Sequence, residues 1–276
     1  MADNWRHDSR RTAKAALIDI TVPNPARVGD YLTGGRNNFE ADRKAVRTLE
    51  ATVPFVSAIS AAARVFRQRA VRYLVAEAGM RQFLDIGTSL NMSGNTHEVA
   101  QSLAPECRVV YVDNDPMVLA HAHAQLTSTP EGAVVALDAN PRDPAAILAA
   151  ASVAGTLDLG RPIAILLMAT LSFILDDASA TRVLRTLTGA VPAGSHVALY
   201  HQASDLDPAM SAGAERWNTI SARPVTLRSR PQLTALLSGL DQVPPGLVPV
   251  TEWRPAPDEP RFDQAVPVYG AVARKR

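Results

Sequence analysis

Short apolar runs alternate with helical stretches along the middle of the chain, and this alternation constrains the fold more than any other feature. The runs predicted as strands are 82–86, 108–113, 133–138, 162–169 and 196–201. Strands separated by helices predict βαβ units, and right-handed crossovers then give a doubly wound, mostly parallel sheet. The first four runs are almost continuously apolar, as expected for strands covered by helices on both faces. We therefore predict an α/β fold.

The two ends of the chain differ from this central pattern. Residues 26–52 predict two short helices around the Gly34-Gly35 turn, and 54–79 predicts a longer helix that ends near Gly79. These segments form a predicted N-terminal helical extension. After the fifth strand we expect helices near 207–221 and over 229–239. Segments 247–253 and 266–274 then predict two final strands that form an antiparallel pair at the sheet edge.

Composition excludes several functional classes. The 28 Lys and Arg residues balance 27 Asp and Glu residues, so we expect no nucleic-acid partner. The single cysteine, Cys107, excludes an intrachain disulfide and a cysteine zinc cluster, and we predict no metal site. The longest apolar run, 163–171, is too short to span a membrane, and the first residues lack the apolar segment of a secretion signal. We predict a cytoplasmic protein that does not bind membranes.

Acidic residues end three successive predicted strands. Asp85 ends the first and is followed by Gly87, Asp113 ends the second, and Asp138 ends the third. A ligand of a doubly wound sheet lies outside the carboxyl ends of its strands. Asp85 can hold a positive group, and Gly87 lets the backbone approach a ligand closely. Asp113 can accept bonds from ribose hydroxyls, and Asp138 can accept one from an adenine amino group.

Two nucleotide ligands compete for this pattern. A dinucleotide site requires three glycines in a G-x-G-x-x-G arrangement, but the sequence places Gly87, Ser89 and Met92 at those positions. S-adenosylmethionine fits better, because it carries a sulfonium, an amino acid, a ribose and an adenine but no phosphate. A purely structural alternative also stays open, since an Asp at a strand end can cap a turn or a helix.

Three runs resemble the class I S-adenosylmethionine-dependent methyltransferases: FLDIGTSLNMSGNTHEVAQ, VVYVDNDPMVLAHAHAQL and RPIAILLMATLSFILDD. Two further runs, ARVGDYLTGGRNNFEADR and GLVPVTEWRP, resemble more narrowly the actinobacterial S-adenosyl methyltransferase family. The resemblance covers roughly residues 20–275. It implies a Rossmann-like methyltransferase domain over 80–276, preceded by a helical extension over 1–79. Within this extension, residues 30–39 are either a lid over the cofactor and substrate or an ordinary turn.

The resemblance also implies a site for S-adenosylmethionine, whose product is S-adenosylhomocysteine. The implied cofactor-binding residues are Asp85, Gly87, Thr88, Ser89, Asp113, Asn114, Asp138, Ala139 and Ala169. The sequence departs from the family pattern at Ser89, where a glycine is usual, at Ser172, where histidine is more frequent, and at Gly29, where tyrosine is more frequent.

Two residues are candidates for acid–base catalysis. His201 ends the fifth predicted strand at the same rim, and imidazole titrates near neutral pH; a structural role for this histidine is an open alternative. Tyr31 lies in the predicted lid. We predict methyl transfer to a small-molecule acceptor. A cofactor-binding regulatory protein without catalysis is the alternative, and a homodimer is the simplest assembly to expect beyond a monomer.

Overall fold

The structure is a computed structural model that describes residues 18–90, 94–153, 155–257, 259–263 and 266–276. The first 17 residues of the predicted extension and Met92 lie outside these ranges. The strands in chain order are β1 (Gln82–Ile86), β2 (Arg108–Asp113), β3 (Ala133–Asp138), β4 (Ala164–Met168), β5 (His196–Gln202), β6 (Leu240–Gln242), β7 (Val248–Pro249) and β8 (Val268–Lys275).

The strands form a doubly wound sheet in the order β3-β2-β1-β4-β5-β8-β6, with β7 paired to β8. The first five strands are parallel, and β8 runs antiparallel to both β5 and β6. The chain builds outward from β1 to β3, then returns to add β4 and β5 on the other side of β1. The order therefore reverses between β1 and β4, where a doubly wound sheet binds its ligand. This confirms the predicted fold class.

Helices cover both faces of this sheet. They are α1 (Pro25–Leu32), α2 (Glu40–Glu50), α3 (Val56–Ala76), α4 (Thr96–Leu103), α5 (Pro116–Gln125), α6 (Pro144–Val153), α7 (Asp177–Gly189), α8 (Ala209–Ile220) and α9 (Arg230–Leu236). Several begin at a side chain that accepts from free backbone N–H groups of the first turn. Asn24 caps α1, Asp115 caps α5 and Asp176 caps α7.

Successive residues of each strand enter different cores, because side chains alternate between the faces of a sheet. Leu84 and Ile86 belong to the core that contains α7 and α9. Phe83 belongs to the core that α3 covers with Phe66 and Leu74. Asp85 shares the parity of Phe83, so its side chain lies on the α3 face of the sheet.

The end of the chain differs from the prediction. The last long strand, β8, is not at the sheet edge but lies between β5 and β6, and its partner from segment 247–253 is the two-residue β7. The three-residue β6, just after predicted helix 229–239, becomes the edge. Its pairing is with β8, about thirty residues later in the chain, so local sequence pattern carries little information about it.

Helices α1, α2 and α8 form a small cap with its own core. Val28 of α1 and Val46 and Leu49 of α2 pack against Trp217 of α8, in a third core apart from the sheet. In contrast, α3 packs directly onto the sheet. The predicted domain boundary at residue 79 lies after α3. The boundary between the core of the cap and the cores of the sheet lies earlier, between α2 and α3.

Asp30 organises the Gly34-Gly35 turn between α1 and α2. The carboxylate of Asp30 is buried; its Oδ2 accepts from the Asn37 backbone N at 2.7 Å and from Asn38 Nδ2 at 2.9 Å. The backbone N of Gly35 donates to the Asp30 carbonyl at 2.8 Å. A Cβ atom on Gly35 would overlap the Asp30 carboxylate. The polar residues of this segment therefore fold the turn itself.

Replacing Gly35 with alanine should destabilise the protein, whereas the same change at Gly29 should not. Gly35→Ala forces the Asp30 carboxylate off its partners, and we expect a loss of about 2 kcal/mol. Gly29 lies inside α1, and a Cβ added there would meet no atom within 4 Å, so Gly29→Ala should raise stability by up to about 1 kcal/mol. Urea denaturation of both variants measures the difference; equal effects would contradict the assigned role of Asp30.

Candidate active site

Asp85 is the last residue but one of β1 and is buried. Its Oδ2 accepts from Thr96 Oγ1 at 2.6 Å, and Thr96 is the first residue of α4. Burial raises the pKa of Asp85, while the charge of Arg67 and the Thr96 hydroxyl lower it. The carboxylate is thus held in place by the next helix and faced by a cation from α3.

The chain turns at Gly87 immediately after β1. Gly87 has φ of +83°, and its N–H donates to the carbonyl of Val112 at 2.8 Å. A Cβ at this position would meet Thr170 Oγ1 at 2.7 Å, so glycine is required by both conformation and space. The turn therefore presses the loop after β1 against the loop after β4.

Thr88, next in this turn, has an unusual environment. Its Oγ1 is buried and has no hydrogen-bond partner in the described part of the chain. A buried hydroxyl without a partner costs free energy, and a polar ligand would remove that cost. The neighbouring Ser89 is half-buried and already has an interaction within the protein. The Asp85 carboxylate, which can accept from an ammonium, and the unpartnered Thr88 hydroxyl fit a polar nucleoside with an amino-acid group.

Two further acids lie side by side at the ends of β2 and β3. Asp113 pairs in register with Asp138, and the Ala139 N–H donates to the Asp113 carbonyl at 3.1 Å. Asp113 is buried, with Oδ1 accepting from the Asp115 N–H at 2.8 Å. Burial, together with the nearby Asp115 carboxylate, raises the pKa of Asp113 to about 7. Asp138 is exposed and Asn114 is half-buried.

The chain leaves β4 through a strained residue. Ala169 has φ of +62°, in the left-handed region that side-chain-bearing residues seldom adopt, and its N–H donates to the Tyr200 carbonyl at 3.1 Å. A single 3-10 turn, Thr170–Phe173, follows, and the Thr170 hydroxyl donates to the Ile86 carbonyl. This strain lies at the point where strand order reverses. The structure therefore brings the predicted cofactor residues to one edge of the sheet.

His201 has a different environment from the one expected of a base. It is fully buried, its Nδ1 lies 2.9 Å from the Gln202 carbonyl, and its Nε2 lies 2.8 Å from Nη1 of Arg228. Nδ1 thus donates, and Nε2 accepts from the guanidinium. Burial, with the adjacent Arg228 charge, lowers the pKa of His201 to about 4. Both ring nitrogens are occupied within the protein, which favours the structural alternative for this histidine.

Arg228 is a buried structural residue beside the site that the sequence did not indicate. Its side chain is buried and donates to the carbonyls of Leu171 and Ile174, both at 2.7 Å, and its Nε contacts Asp177 Oδ1 at 2.7 Å. It thereby fixes the turn after β4 to the start of α7. An isolated arginine in a loop carries no pattern that predicts burial, so only the folded chain shows this role.

The cap is fastened to the carboxyl edge of the sheet. Asn24 Nδ2 donates to Asp115 Oδ2 at 2.7 Å, which ties the start of α1 to the loop after β2. The Thr226 N–H, just beyond α8, donates to the Ser172 carbonyl at 2.8 Å, which ties the cap to the turn after β4. Tyr31 lies on α1 with about a third of its surface exposed (36%). The cap therefore borders the edge where the acids lie.

The described ranges contain neither a cluster of metal-binding side chains nor a membrane-spanning helix. No group of three or more His, Cys, Asp or Glu side chains there could hold a metal ion. Likewise, none of the helices in those ranges is long and apolar enough to cross a membrane.

A doubly wound sheet with a glycine turn after β1 and acids at the ends of β1 to β3 defines a Rossmann-like nucleoside-binding protein. The model of the S-adenosyl methyltransferase family matches residues 11–276, and the chain belongs to that family. Its cofactor is S-adenosylmethionine, and its activity is methyl transfer.

Solved structures agree with this assignment. A DUF574 family protein from Streptomyces avermitilis is 40% identical, with a TM-score of 0.87 over 94% of this chain and 99% of that one. A candidate methyltransferase from Thermobifida fusca is 35% identical, with a TM-score of 0.85 over 94% and 97%. An O-methyltransferase of neocarzinostatin biosynthesis, at 15% identity and a TM-score of 0.50 over 85% and 60%, shares the fold alone. No curated protein matches the chain.

Acidification should weaken cofactor binding through Asp113. Ribose hydroxyls donate to a carboxylate but lose an acceptor when it is protonated, and the pKa of Asp113 is about 7. We expect affinity for S-adenosylhomocysteine to fall below pH 7 by up to about tenfold per unit and to level off above pH 8. Isothermal titration across pH 5.5–8.5 measures this. Asp113→Asn should bind weakly with a flat profile, and an unchanged slope in that variant would rule out Asp113 as the source.

The stability of the protein should also fall on acidification, through His201. Its pKa is about 4 in the folded chain against an ordinary 6.5, so the unfolded chain binds the extra proton first. The stability from this group is complete above pH 6.5 and is lost as pH falls toward 4, by at most roughly 3 kcal/mol. Urea unfolding at pH 4.5 and 7 measures the difference. His201→Gln cannot take the proton and should lose less over this interval; an equal loss would exclude His201.

Proposed function

We propose that the chain transfers a methyl group from S-adenosylmethionine to a small-molecule acceptor at the carboxyl edge of the sheet, beneath the cap. The observation that carries the proposal is the position of the acids on three adjacent parallel strands: Asp113 and Asp138 end β2 and β3, and Asp85 is the last residue but one of β1. The Thr88 hydroxyl, which has no partner among the described residues, lies in the loop that follows β1.

Each part of the cofactor has a proposed partner. Asp85 takes the amino group, and the loop of Gly87, Thr88 and Ser89 follows the backbone of the amino-acid part. Asp113 accepts from the ribose hydroxyls. Asn114, Asp138 and Ala139 contact the adenine, and Ala169 borders the methionine part. These assignments follow strand order, since β1, β2 and β3 lie successively further from the switch point.

The cofactor supplies an electrophilic methyl group on sulfur. What the protein contributes is position and exclusion of water, because an in-line displacement gains most from a nucleophile held at the correct angle and distance. The strained Ala169 and the 3-10 turn fix one wall of the site. The cap borders that site, because Asn24 fastens it to the loop after β2 and Thr226 fastens it to the 3-10 turn.

A small acceptor fits this arrangement better than a macromolecule. The cap formed by α1, α2 and α8 has its own apolar core, so it is a built part of the protein near the site. The balanced charge of 28 cationic and 27 anionic residues gives no basic excess for nucleic acid. Burial raises the pKa of the Cys107 thiol to about 11, so this cysteine is unreactive. A single cysteine suits a reducing compartment, and we place the activity in the cytoplasm.

Tyr31 is the proposed acceptor-facing residue of the cap. It keeps a partly exposed side chain on α1, beside the Asp30 turn. We do not extend the same role to His201, because hydrogen bonds to Gln202 and Arg228 occupy its two ring nitrogens. An acceptor that reacts without losing a proton beforehand, or that binds already ionised, requires no base from the protein.

The proposal is tested by binding and then by turnover. Isothermal titration with S-adenosylhomocysteine should show a single site in the wild type and at least about a tenfold loss in Asp113→Ala, since hydrogen bonds to a charged group contribute about 1.5–3 kcal/mol. Glu131→Ala is the matched control, because Glu131 is an exposed acid that precedes β3 at the opposite edge.

A methyl-transfer assay against panels of small phenols, amines and carboxylic acids then separates enzyme from regulator. Turnover that is lost in Asp85→Ala supports the enzyme. Cofactor binding without turnover on any panel would favour the non-catalytic alternative, and no binding at all would contradict the proposal.

A further inference from the structure

Arg67, on α3, is a partly buried arginine without an ion-pair partner in the described part of the chain. Its Nε is buried and has no hydrogen bond, and none of the described carboxylates forms an ion pair with its guanidinium. Three other arginines with buried side chains behave differently: Arg27 pairs with Asp42, Arg69 with Glu259, and Arg228 with Asp177. A guanidinium that is withdrawn from water usually has an anion beside it. The exception therefore points to an anion from outside the described residues.

The neighbours of Arg67 place it over the end of β1. Phe66 makes an edge contact with Tyr200 of β5, with ring centroids 6.4 Å apart. Gln68 Nε2, on the other side, donates to the Gly94 carbonyl at 3.3 Å, just before α4. Because Thr96 of α4 holds Asp85, this turn of α3 lies across the β1 end from β5 to α4.

The charge of Arg67 acts on the groups at this place. Burial raises the pKa of Asp85, of Tyr111 on β2 and of Tyr200 on β5, and the positive charge of Arg67 opposes that rise at all three. These residues share the α3 face of the sheet, whereas His201, one residue after Tyr200, has the opposite parity. Arg67 is thus close to Asp85 but makes no ion pair with it.

A cation and an anion that lie near each other without pairing can together bind a zwitterionic ligand. The amino-acid end of the cofactor carries an ammonium and a carboxylate on the same carbon atom. Asp85 is suited to the ammonium, and a guanidinium binds a carboxylate through two parallel hydrogen bonds. Either the cofactor or an acidic acceptor could supply a carboxylate, but only the cofactor also brings the ammonium that Asp85 requires.

We infer that Arg67 binds the α-carboxylate of the amino-acid part of S-adenosylmethionine, opposite Asp85, and that these two residues select a nucleoside with a free amino acid. The inference rests on the proposed placement of the cofactor at Asp85. It makes Arg67 a specificity-determining residue that lies in the helical region before the Rossmann-like segment.

The test compares two ligands that differ in the amino-acid part alone. S-adenosylhomocysteine carries it, and 5′-methylthioadenosine lacks both the ammonium and the carboxylate. Isothermal titration of the wild type should show much tighter binding of S-adenosylhomocysteine. Arg67→Gln should weaken that binding by about 10- to 100-fold and leave the affinity for 5′-methylthioadenosine within about twofold. Arg72→Gln, an exposed arginine on the same helix, is the matched control and should change neither affinity.

Several results would overturn the inference. Equal weakening of both ligands in Arg67→Gln would show a structural role, and unchanged binding of S-adenosylhomocysteine would show that Arg67 does not touch it. Unchanged cofactor binding with a raised KM for acidic acceptors would assign the residue to an acceptor carboxylate instead. If the wild type binds neither ligand, the proposed function itself is contradicted. If the wild type binds both ligands equally, the inference about Arg67 and Asp85 is contradicted but the proposed function is not.

Arg67→Lys covers the case in which the glutamine variant fails to fold. Lysine keeps the charge but not the two parallel donors, so its loss for S-adenosylhomocysteine should be smaller than that of Arg67→Gln, again with 5′-methylthioadenosine unaffected. Circular dichroism confirms that each variant is folded before titration. A lysine variant that loses affinity for both ligands to the same extent would also contradict the inference.

Discussion

One buried guanidinium, that of Arg228, determines the shape of the carboxyl edge of the sheet. Burial of a charge is costly unless its donors are satisfied, and Arg228 meets that condition with two carbonyls, one carboxylate and a neutral imidazole. These acceptors belong to the turn after β4, the start of α7 and the end of β5. The positions of Ala169 and the 3-10 turn depend on this arrangement, as does the neutral state of His201.

The central strands of the sheet were predictable from local sequence pattern, but the arrangement of the C-terminal strands was not. The runs that became β1, β2 and β4 are apolar because helices cover both faces of the sheet there, and this burial is visible in the sequence as continuous apolar stretches. The edge strand β3 is only half-buried. The position of β8 between β5 and β6 depends on pairing between distant segments. No property of residues 240–242 alone indicates an edge strand.

Some residues of the candidate site were likewise predictable from the sequence, and others were not. Asp85, Asp113 and Asp138 were predictable because they end strands, and strand ends of a parallel sheet converge on one edge. Arg228 was not, since its contacts are with segments far away in sequence. The proposed role of Arg67 was not predictable either, because it depends on the fold that places α3 across the end of β1. His201 shows a third case: it does end a strand at the correct edge, but its one-residue offset from Tyr200 turns its side chain to the other face.

The helix α3 serves the protein in two ways, which has a consequence for how the chain can be divided. Its apolar residues, among them Phe66 and Leu74, fill the core on one face of the sheet, while Arg67 is the proposed partner of the cofactor carboxylate. A fragment that starts after residue 79 would therefore lose a core layer and the proposed carboxylate-binding residue together. The smallest unit that preserves both begins before α3, so a substitution in this helix acts on the core through one face and, if it alters Arg67, on the proposed ligand contact.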